Sequence, residues 1–257
     1  MATCTVGAHR FEYERVGAGP PLLILNGFSA TRLDWDPVFL DALARDHTLF
    51  CVDFRGMGGS SDDRPFTVHD LAADVADVVR TIGLDRPAVL GWSMGGFVAL
   101  TLALAFPQVP SRLVLLATSA GGAGSAPIAD AVKARLTDFS GTPRQQASRL
   151  LGLLFPPERA AAVEAEFGEV VADARAALPL DVVREQAHLL DEWERSGAGS
   201  RLGEVQCPTL VATGSADIVI PPVNAVLLAT GITDAWLARF PGWVTRSWPT
   251  TPSRSLA

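Results

Sequence analysis

Residues 87–107 read PAVLGWSMGGFVALTLALAFP. Residues 88–90 are a short apolar run of buried-strand type, and Gly91-Trp92-Ser93-Met94-Gly95 matches Gly-x-Ser-x-Gly. From Gly96 onward the apolar residues continue long enough for a buried helix. A strand that passes directly into a helix must bend sharply at the serine, through dihedrals that most L-residues resist. Glycine at 91 and 95 removes the Cβ that would crowd such a turn, and Gly96 lets the helix lie close to the sheet. The result is a serine hydroxyl on a sharp strand-to-helix turn, which is how acyl-transfer nucleophiles are presented. The competing reading is a Gly-rich turn whose serine merely caps the helix.

On the N-terminal side, TCTV and RFEYERVG are strand-like and separated by a Gly-containing turn, and PLLILNG is a third apolar run. DWDPVFLDALARD is amphipathic, with Asp34 or Asp36 as cap. HTLFCVDFRG reads as a strand that runs into the loop RGMGGSSDDRP, and Thr67 caps a helix TVHDLAADVADVVRTIG. After RLVLLATSA the alternation of short strands and helices stops. Four segments between Gly121 and Ala198 have helical periodicity. The alternation resumes with PTLVATG, PPVNAVLLATG and AWLARFPG. These patterns predict an α/β core over 1–120 and 199–242, with a mostly parallel sheet covered on both faces. They also predict a helical cap over 121–198. Residues 243–257 carry no periodicity and are expected to be disordered or aberrant.

The chain has 257 residues, ample for a sizeable core, with a net charge of −7 and 19% charged residues. No Lys/Arg cluster marks a nucleic-acid or membrane-surface partner, and no apolar run approaches a membrane span. Cys4, Cys51 and Cys207 are scattered without metal spacing, and the N-terminus has no apolar signal core. Both features lead us to expect reduced thiols and a cytoplasmic protein. No metal cluster or cofactor fingerprint is visible, since GMGGS at 56–60 lacks the Walker lysine. The expected partner is a small molecule, with no cofactor.

Four landmarks, LILNGF, DFRGMGGSS, GWSMGG and ATGSAD, occur in order through the chain. In these the chain resembles the α/β-hydrolase superfamily over about residues 10–242, and within it the esterase, lactonase and cofactor-free perhydrolase branches. Branches that use Asp as nucleophile, the haloalkane dehalogenases and epoxide hydrolases, are disfavoured by Ser93. The resemblance implies an oxyanion hole formed by the backbone N–H groups of Met94 and Phe28, with Asn26 standing where the family commonly has His. It also implies Asp217 as the acid that orients the catalytic histidine. Less specific readings remain: NGF as an ordinary strand-ending turn, and Asp217 as a loop aspartate capping a helix that starts at Pro221.

The resemblance places that histidine in a Gly-His pair soon after a segment like FPG, here residues 240–242, but WVTRSWPTTPSRSLA follows. The histidines are His9, His47, His69 and His188. The first two read as surface residues, and His188 or His69 is the substitute base only by coincidence of geometry. The family's final helix is also missing. One displacement of the reading frame after Gly242 would account for both losses, the alternative being a natural tail. Read two bases later, the codons of Trp243 and Val244 necessarily give glycine, and a GTC valine codon makes the next residue histidine. The sequence thus leads us to expect a serine hydrolase for a small ester or lactone, impaired by loss of its base. The alternative is a non-catalytic small-ligand-binding protein of the same fold. One sheet face is expected to lie uncovered.

Overall fold

The computed structural model describes residues 1–61 and 65–242. Residues 243–257, with the expectations of a disordered or aberrant tail and a missing final helix, lie outside the described residues.

The apolar runs form the strands of a single sheet. These are β1 (Ala2–Val6), β2 (His9–Gly17), β3 (Pro21–Leu25), β4 (Thr48–Val52), β5 (Ala88–Trp92), β6 (Arg112–Leu116), β7 (Thr209–Gly214) and β8 (Ala235–Phe240). Their order across the sheet is β1-β2-β4-β3-β5-β6-β7-β8. The N-terminal hairpin pairs antiparallel and joins β4 antiparallel, and every later pairing is parallel. Strands β3, β4 and β5 are almost continuously buried, which explains why they read as unbroken apolar runs instead of alternating ones.

Helices lie on both faces. On one side are α1 (Pro37–Ala44), which packs Phe39, Leu40 and Leu43 on the sheet. On the other are α2 (Val68–Thr81), α3 (Met94–Ala105) and, later in the chain, Val223–Gly231. Asp36 accepts from the Val38 N–H and so caps α1, while Asp34 closes a capping box with Thr31 one turn earlier. Thr67 and Asp70 form a second capping box at the start of α2. Four helices fill the break in the α/β pattern: α4 (Asp130–Leu136), α5 (Pro143–Leu154), α6 (Pro157–Ala176) and α7 (Leu180–Ser196). The helix after β7 is α8 (Val223–Gly231), which starts two residues beyond Pro221. No described helix is long and apolar enough to cross a membrane.

Among the described residues, α1 is the only helix on its face, and the sheet beyond it is open. An apolar groove of about 530 Å³ runs over Val114, Leu116, Leu210, Ala212, Trp236 and Phe240. The Trp236 side chain is 75% exposed there, an arrangement that favours a covering element. We expect a variant with an amphipathic helix placed after Gly242, apolar side toward Val114, Leu116 and Trp236, to be stabilised by about 2 kcal/mol. For a chain of this size that is roughly 4–8 °C in Tm. Calorimetry checks this, and an unchanged Tm counts against it.

Candidate active site

Ser93 sits between β5 and α3 with φ 53° and ψ −118°, a conformation that non-glycine residues seldom adopt. Its backbone is held on both sides. The N–H donates to Leu116 O at 2.9 Å, and the carbonyl accepts from the Gly96 N–H and the Thr118 hydroxyl, each at 2.8 Å. A Cβ on Gly91 would fall within 3.0 Å of the Gly95 carbonyl, and one on Gly95 would meet the carbonyls of Leu25 and Asn26. A Cβ on Gly96 would strike the Thr118 side chain, so this glycine serves the approach of α3 to the segment after β6. The Ser93 side chain makes no capping hydrogen bond to the helix. It borders a cavity of about 30 Å³ whose walls include Phe28, Ser29, Asp34, Trp92, Leu150 and Val219. That is room for one or two waters.

The loop after β3 forms the facing wall and is anchored by buried polar groups. Asn26, fully buried, donates from Nδ2 to Val52 O at 3.1 Å and Asp53 Oδ1 at 3.2 Å, and its Oδ1 accepts from the Trp35 indole at 2.8 Å. Asp53 Oδ1 also accepts from the Arg32 N–H at 2.7 Å, and the Arg32 guanidinium pairs with Asp53 and, at 2.9 Å, with Glu12. Burial pushes the Asp53 carboxyl up, opposed by these bonds from Arg32 and by its charge. Asn26 thus ties the ends of β3 and β4 together, a structural role for the residue that replaces the family's histidine. A Cβ on Gly27 would sit 3.0 Å from the Trp92 ring, so the loop passes flat against it. The turn is closed by Ala30 N–H to Gly27 O at 3.3 Å, a bond that does not use the Phe28 N–H. Met94 is the first residue of α3, so its N–H has no intrahelical acceptor.

Asp217 lies in the turn after β7 and is 5% exposed. Its Oδ1 accepts from the N–H groups of Val219 and Ile220, both at 2.9 Å, so the carboxylate shapes its own turn and does not cap α8. Val219 then reaches the Ser93 cavity. The end of β8 is fastened to the same turn, with Ser215 N–H to Phe240 O at 3.0 Å and Gly242 N–H to Ser215 Oγ at 2.8 Å. The chain therefore leaves Gly242 beside the turn that carries Asp217.

None of the histidines lines the Ser93 cavity. His188 is exposed on α7 among Lys133, Asp191 and Arg195, and His69 is exposed near Phe106. His47 borders the apolar groove of the sheet, and His9 opens β2. The cysteines are free, and Cys51, buried near Glu14 and Asp53, has its thiol pushed up to about 12.

Three residues at this site did not stand out in the sequence. Ser29, at φ 52°, donates its N–H to Gln186 Oε1 at 2.8 Å, and its Oγ accepts from Arg175 Nη1 at 2.9 Å. The signal was present but weak. Gln186 interrupts the inward stripe Val182, Val183, Leu189, Leu190, Trp193 of α7, and Arg175 follows Ala172 on the inward side of α6. A polar residue on a buried stripe needs a polar partner, and only the folded chain shows which one.

A family model described as the alpha/beta hydrolase fold matches residues 20–242. A protein of Variovorax paradoxus provisionally assigned as the carbamate hydrolase RutD is 31% identical over 243 residues, covering 90% of this chain and 86% of its own. The crystal structure of a hydrolase from Pseudomonas aeruginosa PA01 is 29% identical with a TM-score of 0.78, over 95% of this chain and 90% of that one. Est816, described as an N-acyl homoserine lactone degrading enzyme, is 25% identical with a TM-score of 0.76, over 98% and 96%.

The anchoring of the loop gives a stability prediction. Arg32→Ala strands the Asp53 charge in the interior and is expected to cost about 3–5 kcal/mol in urea unfolding. The double variant Arg32→Met/Asp53→Asn, which removes the charge together with its partner, is expected to lose markedly less. Equal losses in the two would contradict the assigned role of the pair.

Proposed function

Since the chain belongs to the α/β-hydrolase fold family, we propose that it is a serine hydrolase whose nucleophile is Ser93 and whose substrate is a small ester or lactone. The observation that carries this reading is the held, positive-φ conformation of Ser93, whose hydroxyl borders a cavity and does not cap the helix. In the reaction Ser93 Oγ adds to the substrate carbonyl, and the negative charge that develops on the carbonyl oxygen is taken by the N–H groups of Met94 and Phe28. The attacking hydroxyl must give its proton to a base, which Asp217 would orient and whose positive charge it would stabilise. The carbamate and lactone assignments of the relatives fit this substrate class, since both compounds present a carbonyl bonded to a heteroatom leaving group. Residues 1–120 and 199–242 form the catalytic core in this proposal. Residues 121–198 are the cap, which roofs the cavity with Leu136, Leu150 and Leu154. At about 30 Å³ the cavity admits an ester only if this roof moves outward.

The base is the deficit. With no histidine on the cavity, turnover falls by about a millionfold relative to a complete triad, or roughly 8 kcal/mol of transition-state stabilisation. The same observation favours a second reading, in which the chain keeps the pocket and binds a small ligand without turning it over.

Labelling with a fluorophosphonate, read by mass spectrometry of the peptide carrying Ser93, separates the two. The control is a variant with a Gly-His loop and an amphipathic helix after Gly242. Under the hydrolase reading the control labels rapidly at Ser93 and hydrolyses p-nitrophenyl acetate several orders of magnitude faster than the present chain. A control that binds ester analogues yet neither labels nor hydrolyses supports the binding protein. Near-normal turnover by the present chain would remove the impairment, and Ala at His188 or His69 would show whether either supplied the base.

A further inference from the structure

We propose that Arg175, Gln186 and Ser29 form a carboxylate-binding subsite at the edge of the Ser93 cavity, so that the preferred ligand carries an anionic group as well as its reactive carbonyl. This rests on the reading of that cavity as the substrate site.

Arg175 is 6% exposed and Gln186 is fully buried. The described hydrogen bonds of Arg175 come to one, from Nη1 to Ser29 Oγ at 2.9 Å, and its Nε is buried with no partner. Its guanidinium lies over the Phe139 ring, 4.8 Å from the centroid, a contact that does not neutralise its charge. Gln186 uses Oε1 on the Ser29 N–H, while its Nε2 is likewise buried and without a partner. Ser29 Oγ, having accepted from Arg175, keeps its own proton to donate. The three side chains thus converge with spare donors on each, and two of those donors, Arg175 Nε and Gln186 Nε2, are orphaned in the interior. Native proteins seldom leave such groups unpaired unless a ligand or water completes them.

The surrounding charges do not complete them. No carboxylate lies within ion-pair distance of the Arg175 guanidinium among the described residues. Asp34 is near enough to favour its charge, and Arg149 near enough to oppose it. Burial lowers Arg175 to about 10, which still leaves it cationic at neutral pH. Desolvating a cation without a paired anion is costly, and an incoming carboxylate repays that cost with charge-assisted hydrogen bonds. Ser29 belongs to the wall of the Ser93 cavity, and Gln186 and Arg175 stand directly behind it through their bonds to its N–H and hydroxyl.

Equilibrium binding tests the proposal without requiring turnover, so its failure is separable from failure of the hydrolase reading. Monomethyl glutarate, which carries an ester and a carboxylate, is compared with uncharged dimethyl glutarate by calorimetric titration of the full chain with Ser93→Ala. The monoester is expected to bind at least about tenfold more tightly. Arg175→Met should erase that preference, and Arg175→Lys should keep part of it. Gln186→Glu retains the acceptor for Ser29 and gives Arg175 an internal anion. It should abolish the preference while holding or raising Tm, so the test survives if Arg175→Met fails to fold. Equal affinity for the two probes, no detectable binding of either, or a preference unchanged in Gln186→Glu overturns the subsite. Loss of the preference in Gln186→Glu with Ser93 still unreactive to fluorophosphonate in the repaired chain upholds the subsite and removes the hydrolase reading.

Discussion

The geometry of the site depends on one close approach. The N-terminus of α3 is pressed against the ends of β3 and β5, so closely that no Cβ fits on Gly91 or Gly95. Ser93 absorbs the resulting bend at φ 53°, in a region that costs a non-glycine residue about 1–3 kcal/mol. The fold holds it there with the Leu116 carbonyl on one side and Gly96 and Thr118 on the other. The helix starts at Met94, and the loop after β3 borders the same small cavity as Ser93. In the proposed reaction, donors held in this way would stabilise developing charge without rearrangement. A longer connection between β5 and α3 would relieve the strain and separate the groups.

That compression also explains what was legible in the sequence. The glycines at 91, 95 and 96, the apolar runs of the buried strands and the caps at Asp36 and Thr67 are local rules, and each acts where it was read. The helical segments between Gly121 and Ala198 are visible by period alone. Tertiary pairings are of another kind. Asn26 looks like a simple substitution for the family's histidine, yet it ties two strand ends through Val52, Asp53 and Trp35. Gln186 lies 157 residues from the N–H it accepts, and Arg175 lies 146 residues from the hydroxyl it reaches. Periodicity assigns such residues to a buried face, but not to a partner. Asp217 was read for its place after a strand, whereas the two N–H groups it accepts emerge only with the folded turn.

Ser29 connects the two levels. It is the second non-glycine residue near the cavity with positive φ, and both its N–H and its hydroxyl are engaged by side chains from α6 and α7. The conformation of the loop that carries Phe28 is therefore set from two directions. Asn26 and the Arg32–Asp53 pair fix it from the core, and Gln186 with Arg175 fixes it from above. In the proposed function, a movement of α6 and α7 that admits a ligand would loosen the second set while leaving the first in place. The roof and the loop opposite Ser93 are mechanically joined through one residue.

The Asp217 turn and the apolar groove on the sheet meet at the end of β8. The end of β8 is bonded to the Asp217 turn through Ser215, and β8 also forms the edge of the groove through Trp236 and Phe240. A segment leaving Gly242 starts beside the Asp217 carboxylate, proposed to orient a base, and next to the apolar groove. One connection of modest length can serve both, because a helix seated on the groove would hold the preceding loop against Asp217. In the proposed reaction rigid placement of that loop would add to the effect of the imidazole itself, since misplacement by about 1 Å can cost on the order of a hundredfold. Under the hydrolase proposal, an imidazole introduced on a loop without a following helix would therefore give less activity than one introduced together with the helix.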